Sequence, residues 1–145
     1  MAQRQVSTRH PVQLAATVVA AVFLLVGVLG FVPGVTTGYD QLMLAGHTSG
    51  ALLLGLFQVS VLHNVVHLLF GVAGLVLART VSGARGYLLY GGVIYAVLWV
   101  YGLLVSADSA ANFVPLNTAD NWLHLLLAVG MIGLALALGR RRAAA

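Results

Sequence analysis

The chain has 145 residues, of which 61% are hydrophobic and 7% charged, with a mean hydropathy of +1.01. A soluble domain has roughly a quarter of its residues charged, so a soluble globular enzyme, a disordered tail and a nucleic-acid-binding module are excluded and an integral membrane protein remains. The net charge of +4 comes from seven arginines against three aspartates; there is no lysine, glutamate or cysteine, which removes disulfides, zinc–thiolate sites and iron–sulfur clusters.

Four stretches match the ~20 apolar residues that a helix needs to cross a bilayer. The first runs from Val12 to Val32, the second from Val61 to Ala78, the third from Gly86 to Val105 and the fourth from Thr118 to Gly139. Their continuity argues against a β-barrel, which would alternate with period two. The first stretch is followed by Pro33-Gly34 with no Ala-x-Ala site, so it is expected to be a retained helix and not a signal peptide. Arg4 and Arg9 precede span one, Arg79 and Arg85 lie between spans two and three, and Arg140, Arg141 and Arg142 follow span four. All seven therefore fall on one side, with Asp40, Asp108 and Asp120 on the other. The positive-inside rule makes the arginine side cytoplasmic and puts both termini there. With the arginines at span ends, the high pI indicates topology and not nucleic acid. The apolar segment Ala51–Phe57 in the first outer loop is expected to be a short interfacial helix, since joined to span two it would be long for a bilayer. Tyr39, Phe57, Tyr101, Phe113 and Trp122 are expected to belt the outer boundary, and Tyr87 and Tyr90 the inner one. His10 reads as a solvated or headgroup residue, and His47 as an exposed loop residue or one that folds back over the polar start of span two.

Spans two and four open alike. One reads Ser60-Val61-Leu62-His63-Asn64-Val65-Val66-His67-Leu68-Leu69 and the other Asn117-Thr118-Ala119-Asp120-Asn121-Trp122-Leu123-His124-Leu125-Leu126. One constant separation places Asn64 on Asn121, His67 on His124 and His63 on Asp120. The predicted unit is a helical hairpin, used twice in tandem with the same topology. Ser60 and Asn117 stand where helix N-caps belong, with Asp120 as a capping-box partner for Asn117. Ser60, His63, Asn64, His67, Gly71, Gly74 and Ala78 fall on one helical stripe, as do Asn117, Asp120, Asn121, His124, Ala128 and Ala135. Small and polar residues of this kind face other helices in lipid, so the two stripes are expected to share an interior near the outer face.

Three readings of this polar cluster (Asn64, His67, Asn121, His124, His63 and Asp120) follow. In the structural one, Asn64 and His67 hydrogen-bond with Asn121 and His124 across the bundle, each contact worth ~0.6 kcal/mol. In the second, His63, His67, Asp120 and His124 bind a transition metal, or His67 and His124 ligate a haem from both sides. Helix N-termini that aim their positive ends at the cluster oppose a bare cation. In the third, His63, His67, Asp120 and His124 relay protons, but nothing charged lies deeper in any span to continue the path.

The paired segments His63-Asn64-Val65-Val66-His67-Leu68 and Asp120-Asn121-Trp122-Leu123-His124-Leu125 resemble the motifs of a bacterial family of small four-span membrane proteins catalogued as a domain of unknown function. The resemblance covers nearly the whole chain. It implies a four-helix inner-membrane protein in which the motif residues matter, and it brings no activity, substrate or cofactor. The expectation is thus an all-α, four-transmembrane-helix bundle built from two tandem helical hairpins, a single domain over residues 1–145 in the bacterial plasma membrane. Short loops leave little room for a substrate pocket, so the favoured role is structural or accessory and not enzymatic, as a homo-oligomer or a subunit of a larger complex. The alternative is a metal- or haem-binding redox protein, and the cofactor itself stays unknown.

Overall fold

The computed structural model describes residues 9–139. Arg4, Arg140, Arg141 and Arg142, which enter the topology argument, lie outside the described residues. The fold is mostly helical: α1 (Pro11–Leu29), α2 (Val61–Leu77), α3 (Val81–Leu104) and α4 (Thr118–Leu138). α1, α3 and α4, with 19, 24 and 21 residues, are long and apolar enough to cross a membrane; α2 has 17. At 1.5 Å per residue α2 covers about 25 Å, short of a ~30 Å hydrocarbon core.

Each helix begins at a side-chain cap, which satisfies backbone N–H groups that have no partner in the first turn. Ser60 Oγ accepts from His63 N–H at 3.2 Å, and Thr80 Oγ1 accepts from Gly83 N–H at 3.0 Å. Asn117 and Asp120 form the expected capping box. His10 also turns out to be a cap. Its Nδ1 accepts from Val12 N–H at 3.4 Å while Gln13 Oε1 accepts from His10 N–H at 3.1 Å. This gives His10, expected only as a solvated or headgroup residue, a place as the cap at the start of α1. The Gln13 amide then donates to the carbonyls of Ala78 and Arg79 at 3.1 and 2.9 Å, tying the start of α1 to the end of α2.

α1 packs along α2 and α3 along α4, and the two hairpins meet mainly where α1 touches α3. Small residues set the close approach within each hairpin. A Cβ on Gly71 would lie 2.8 Å from the Ala20 carbonyl oxygen, and one on Gly92 would lie 3.1 Å from that of Ala128. Val12, Ala16, Ala20 and Phe23 are the buried side chains of α1; Ala84, Leu88, Gly92 and Tyr95 are buried in α3 at the same spacing. The core is continuous from the arginine end, at Val12, Ala78, Ala84 and Ala135, to the aromatic layer of Phe23, Phe70, Tyr87 and Tyr95.

Two sequence expectations are corrected. Residues 51–57 form no helix. Leu52–Leu53 (β2) pairs antiparallel with Thr36–Thr37 (β1) and with Phe57–Gln58 (β3), making a small three-stranded sheet. Leu54 and Gly55, with φ of +54° and +70°, turn the chain between β2 and β3. Left-handed backbone at two successive residues is incompatible with a helix there. The sheet buries Ala51, Leu53 and Val59 against Val26 and Leu29 near the end of α1. Tyr87 is the second correction. It is buried in the core against Phe70, with ring centroids 5.0 Å apart, instead of standing at the membrane boundary. α3 starts at Val81, ahead of the apolar stretch, and Gly74 makes the room, since a Cβ there would lie 2.7 Å from the Tyr87 hydroxyl. Tyr90 is exposed.

Adding a methyl at the α3–α4 contact by Gly92→Ala is expected to cost about 1–3 kcal/mol by overpacking. Gly130, with nothing within 4 Å of a Cβ, is the control: Gly130→Ala is expected to leave stability unchanged or raise it by up to about 1 kcal/mol. Thermal unfolding of the two variants in detergent separates them.

Candidate functional site

The first turns of α2 and α4 place six polar side chains at the loop end of the bundle. His63, Asn64, His67, Asp120 and His124 are buried, and Asn121 is half-buried. An α-helix turns about 100° per residue, so residues three apart diverge by about 60°. The two asparagines therefore look in a different direction from the two histidines that follow them.

Asn64 is turned to α1 and Asn121 to α3, each against a glycine of its own hairpin. A Cβ on Gly30 would run into the Asn64 amide, and one on Gly102 into the Asn121 amide. His67 and His124 instead face the centre. The His67 ring lies on Phe23 of α1 with centroids 5.6 Å apart, and the His124 ring lies on Tyr95 of α3 at 5.2 Å. Phe23 and Tyr95 stack on one another at 5.4 Å with their planes 18° apart. Ring contacts thus run from His67 through Phe23 and Tyr95 to His124. His63 joins the series through His67, at 4.4 Å.

The hydrogen bonds expected between the two Asn/His pairs are absent. Among the described residues, the amide oxygen and nitrogen of Asn64, the amide oxygen of Asn121 and the Nδ1 atoms of His63, His67 and His124 are buried without a partner. The cause is geometric: each asparagine is enclosed within its own hairpin, and two aromatic rings join the imidazole faces. Among the described residues, no group of three or more His, Cys, Asp or Glu side chains is arranged to hold a metal ion.

Asp120 does the capping expected of it and makes one further contact. One carboxylate oxygen accepts from Asn117 N–H and from Gln58 N–H, both at 3.0 Å. The first bond closes the cap of α4 and the second reaches the sheet of the other hairpin. Asn117 Nδ2 adds a bond to the Leu56 carbonyl at 2.7 Å. Polar ties between the hairpins therefore run from α4 to the backbone of residues 56–58, and from Gly46 N–H to the Phe113 carbonyl at 2.8 Å. His47, half-buried, takes part through its carbonyl, which accepts from the Gln58 amide at 3.1 Å.

His63, His67, His124 and Tyr95 line one cavity of about 400 Å³ between α2 and α3. Leu62, Val66, Ile94 and Leu98 complete its sides, and Phe113 and Val114 of the second loop cover it. Phe23, Tyr95 and the covering loop are the parts of this arrangement that the sequence motif does not point to. No periodic signal marks them, because their contributions come from the tertiary arrangement.

Asp120→Ala removes the acceptor of two backbone N–H groups, one of them in the other hairpin. The expected loss is about 2 kcal/mol, with faster proteolytic cleavage of the loop around residues 46–58. Asp120→Asn keeps one acceptor oxygen and is expected to lose less on both measures.

Neither a curated protein nor a solved structure matches the chain. A family model does match, over residues 13–137, and so over all four helices. The chain belongs to the family described as domain of unknown function DUF4383.

Proposed function

We propose that the protein is a non-catalytic component of the bacterial inner membrane, with both ends on the cytoplasmic side, that serves as an accessory subunit of a larger complex or as a homo-oligomer. The observation that carries this reading is the use of Asp120. It is the carboxylate of α4, and one of its oxygens holds two backbone N–H groups. A general acid or base must instead present its carboxylate to a substrate proton. Ser49, Gln58, Asn112 and Asn117 are likewise spent on backbone groups of the loops. Arg9, Arg79 and Arg85 at one end, against Asp40 and Asp108 at the other, support the orientation.

The outward face of α4 suits a partner helix. Gly130 and Gly133 have open space beyond them, flanked by exposed Leu126, Val129 and Leu136. Small residues allow close helix approach in lipid, where dispersion and not the hydrophobic effect joins helices. The metal- or haem-binding alternative through His63, His67, Asp120 and His124 is the weaker reading, since among the described residues no three His, Cys, Asp or Glu side chains are arranged to hold a metal ion.

Because the native chain has no cysteine, single cysteines test the proposal in native membranes. Gly130→Cys is expected to give an oxidative cross-link to a second copy or to one discrete partner. Thr80→Cys is expected to resist a membrane-impermeant maleimide until the cytoplasmic side is opened. A monomeric band at both Gly130→Cys and Gly133→Cys contradicts the accessory role, and labelling of Thr80→Cys from outside contradicts the orientation.

A further inference from the structure

At the arginine end of the first hairpin, another cavity of about 610 Å³ opens between the start of α1 and the end of α2. Arg9, Gln13 and Thr17 line it from one side, and Leu75, Ala78 and Arg79 from the other. Two local features build it. The His10 cap fixes where the chain enters α1, so Arg9 stands just ahead of the first turn. The Gln13 amide, by donating to the carbonyls of Ala78 and Arg79, holds that turn beside the end of α2. Two arginines far apart in the chain are thereby brought to one cavity.

Like charges that share a cavity call for a counter-ion. No acidic side chain of the protein supplies it: Asp40, Asp108 and Asp120 are the only acids, and all three belong to the loop end. The end charges of the two antiparallel helices offset one another, positive for α1 and negative for α2. The Gln13 amide already occupies two carbonyls at the α2 end. The cavity therefore takes the sign of its arginines, and a guanidinium fork matches the oxygens of a phosphate. The depth of the cavity says what carries that phosphate. Thr17 lies six residues past Pro11, and Leu75 four residues before Arg79, so the cavity descends about 6–9 Å along the helices. Leu75 at its floor is 39% exposed, and beyond it both helices continue with apolar residues alone, Val18–Leu29 on α1 and Leu68–Leu75 on α2. A free phosphate would use only the mouth, whereas a phosphate with apolar chains uses mouth and floor. A zwitterionic head group brings a cation of its own, which two arginines repel.

We propose that the cavity between the start of α1 and the end of α2 binds the phosphate of an anionic glycerolipid between the guanidinium groups of Arg9 and Arg79, with the acyl chains running along the apolar surface beyond Leu75. Basic pockets between membrane helices hold head groups in this way. The inference is independent of the accessory role, since an accessory subunit and a solitary protein can both carry this site.

The test uses the full chain in an uncharged maltoside detergent. It is titrated calorimetrically with a short-chain phosphatidylglycerol, with phosphatidylcholine of the same chain length and with inorganic phosphate. Saturable binding of phosphatidylglycerol at one site per chain is expected, at least about tenfold tighter than either of the others. Arg9→Gln and Arg79→Gln each remove one charge-assisted contact and are expected to weaken it at least about tenfold. Arg85→Gln removes the same charge at the same end, but Arg85 packs at Gly139 of the other hairpin, outside the cavity. It is expected to leave binding within about twofold. Leu75→Trp fills the floor from an exposed position, keeps both arginines and is expected to weaken binding too; it carries the test should an arginine variant fail to fold. Phosphatidylcholine bound as tightly as phosphatidylglycerol, or an equal loss in Arg85→Gln, means unspecific attraction to the arginine end and overturns the proposal. Inorganic phosphate bound as tightly as phosphatidylglycerol overturns the lipid as the occupant. Binding that Arg9→Gln, Arg79→Gln and Leu75→Trp all leave intact puts the site elsewhere and overturns it as well.

Discussion

Where α1 meets α3, the rings of Phe23 and Tyr95 stack 5.4 Å apart, and the shared interior of the two hairpins depends on that contact. Lipid tails are as apolar as leucine, so burial alone gives two hairpins little reason to associate in a membrane. Shape, ring stacking and polar contacts must do it. Each ring of the pair also supports an imidazole of its own hairpin, His67 on Phe23 and His124 on Tyr95. Phe70 meets both rings edge-on, at 4.8 and 5.9 Å, and closes the layer toward the arginine end.

Around this centre the polar groups divide by direction. Those that can reach loop backbone are used there. Asp120 and Asn117 bind residues 56–58, Gln58 binds His47 and Ser49, and Asn112 binds Ala107 and Leu116. Those that point into the bundle, the three histidines, meet aromatic rings and a cavity. Asn64 and Asn121 belong to neither set. Gly30 and Gly102 let α1 and α3 come close enough to cover them, so the narrow glycine contact and the enclosed amide are one feature seen from two helices.

Much of this was legible in the chain. Apolar runs bounded by arginines mark four helices, and Ser60 and Asn117 mark the starts of α2 and α4 through the hydrogen bonds their side chains make. The His-x-x-x-His and Asp-x-x-x-His spacings put their members on the inward faces of those helices. The direction of the asparagines was less accessible. It depends on which helix lies next to each, and motif spacing carries no such information. The sheet at residues 36–58 was missed because strands of two residues are too short to show a period, while Ala51–Phe57 is apolar enough to pass for a helix until Leu54 and Gly55 turn it. Tyr87 was misplaced because α3 begins at Val81, ahead of its apolar stretch, which puts that ring a full turn inside the helix. The matching spacing of buried positions in α1 and α3 was invisible for another reason. Ala16 and Leu88, or Ala20 and Gly92, occupy like places with unlike side chains, and only burial relates them.

A double-mutant cycle on Phe23→Leu and Tyr95→Leu, read as unfolding free energy in detergent, tests the central contact most directly. Rings that stack across the interface between the hairpins should be coupled by about 0.5–1.5 kcal/mol beyond the sum of the single losses. Additive losses, with no coupling beyond measurement error, would mean that the two hairpins do not meet through this pair, and the common interior built on it would be contradicted.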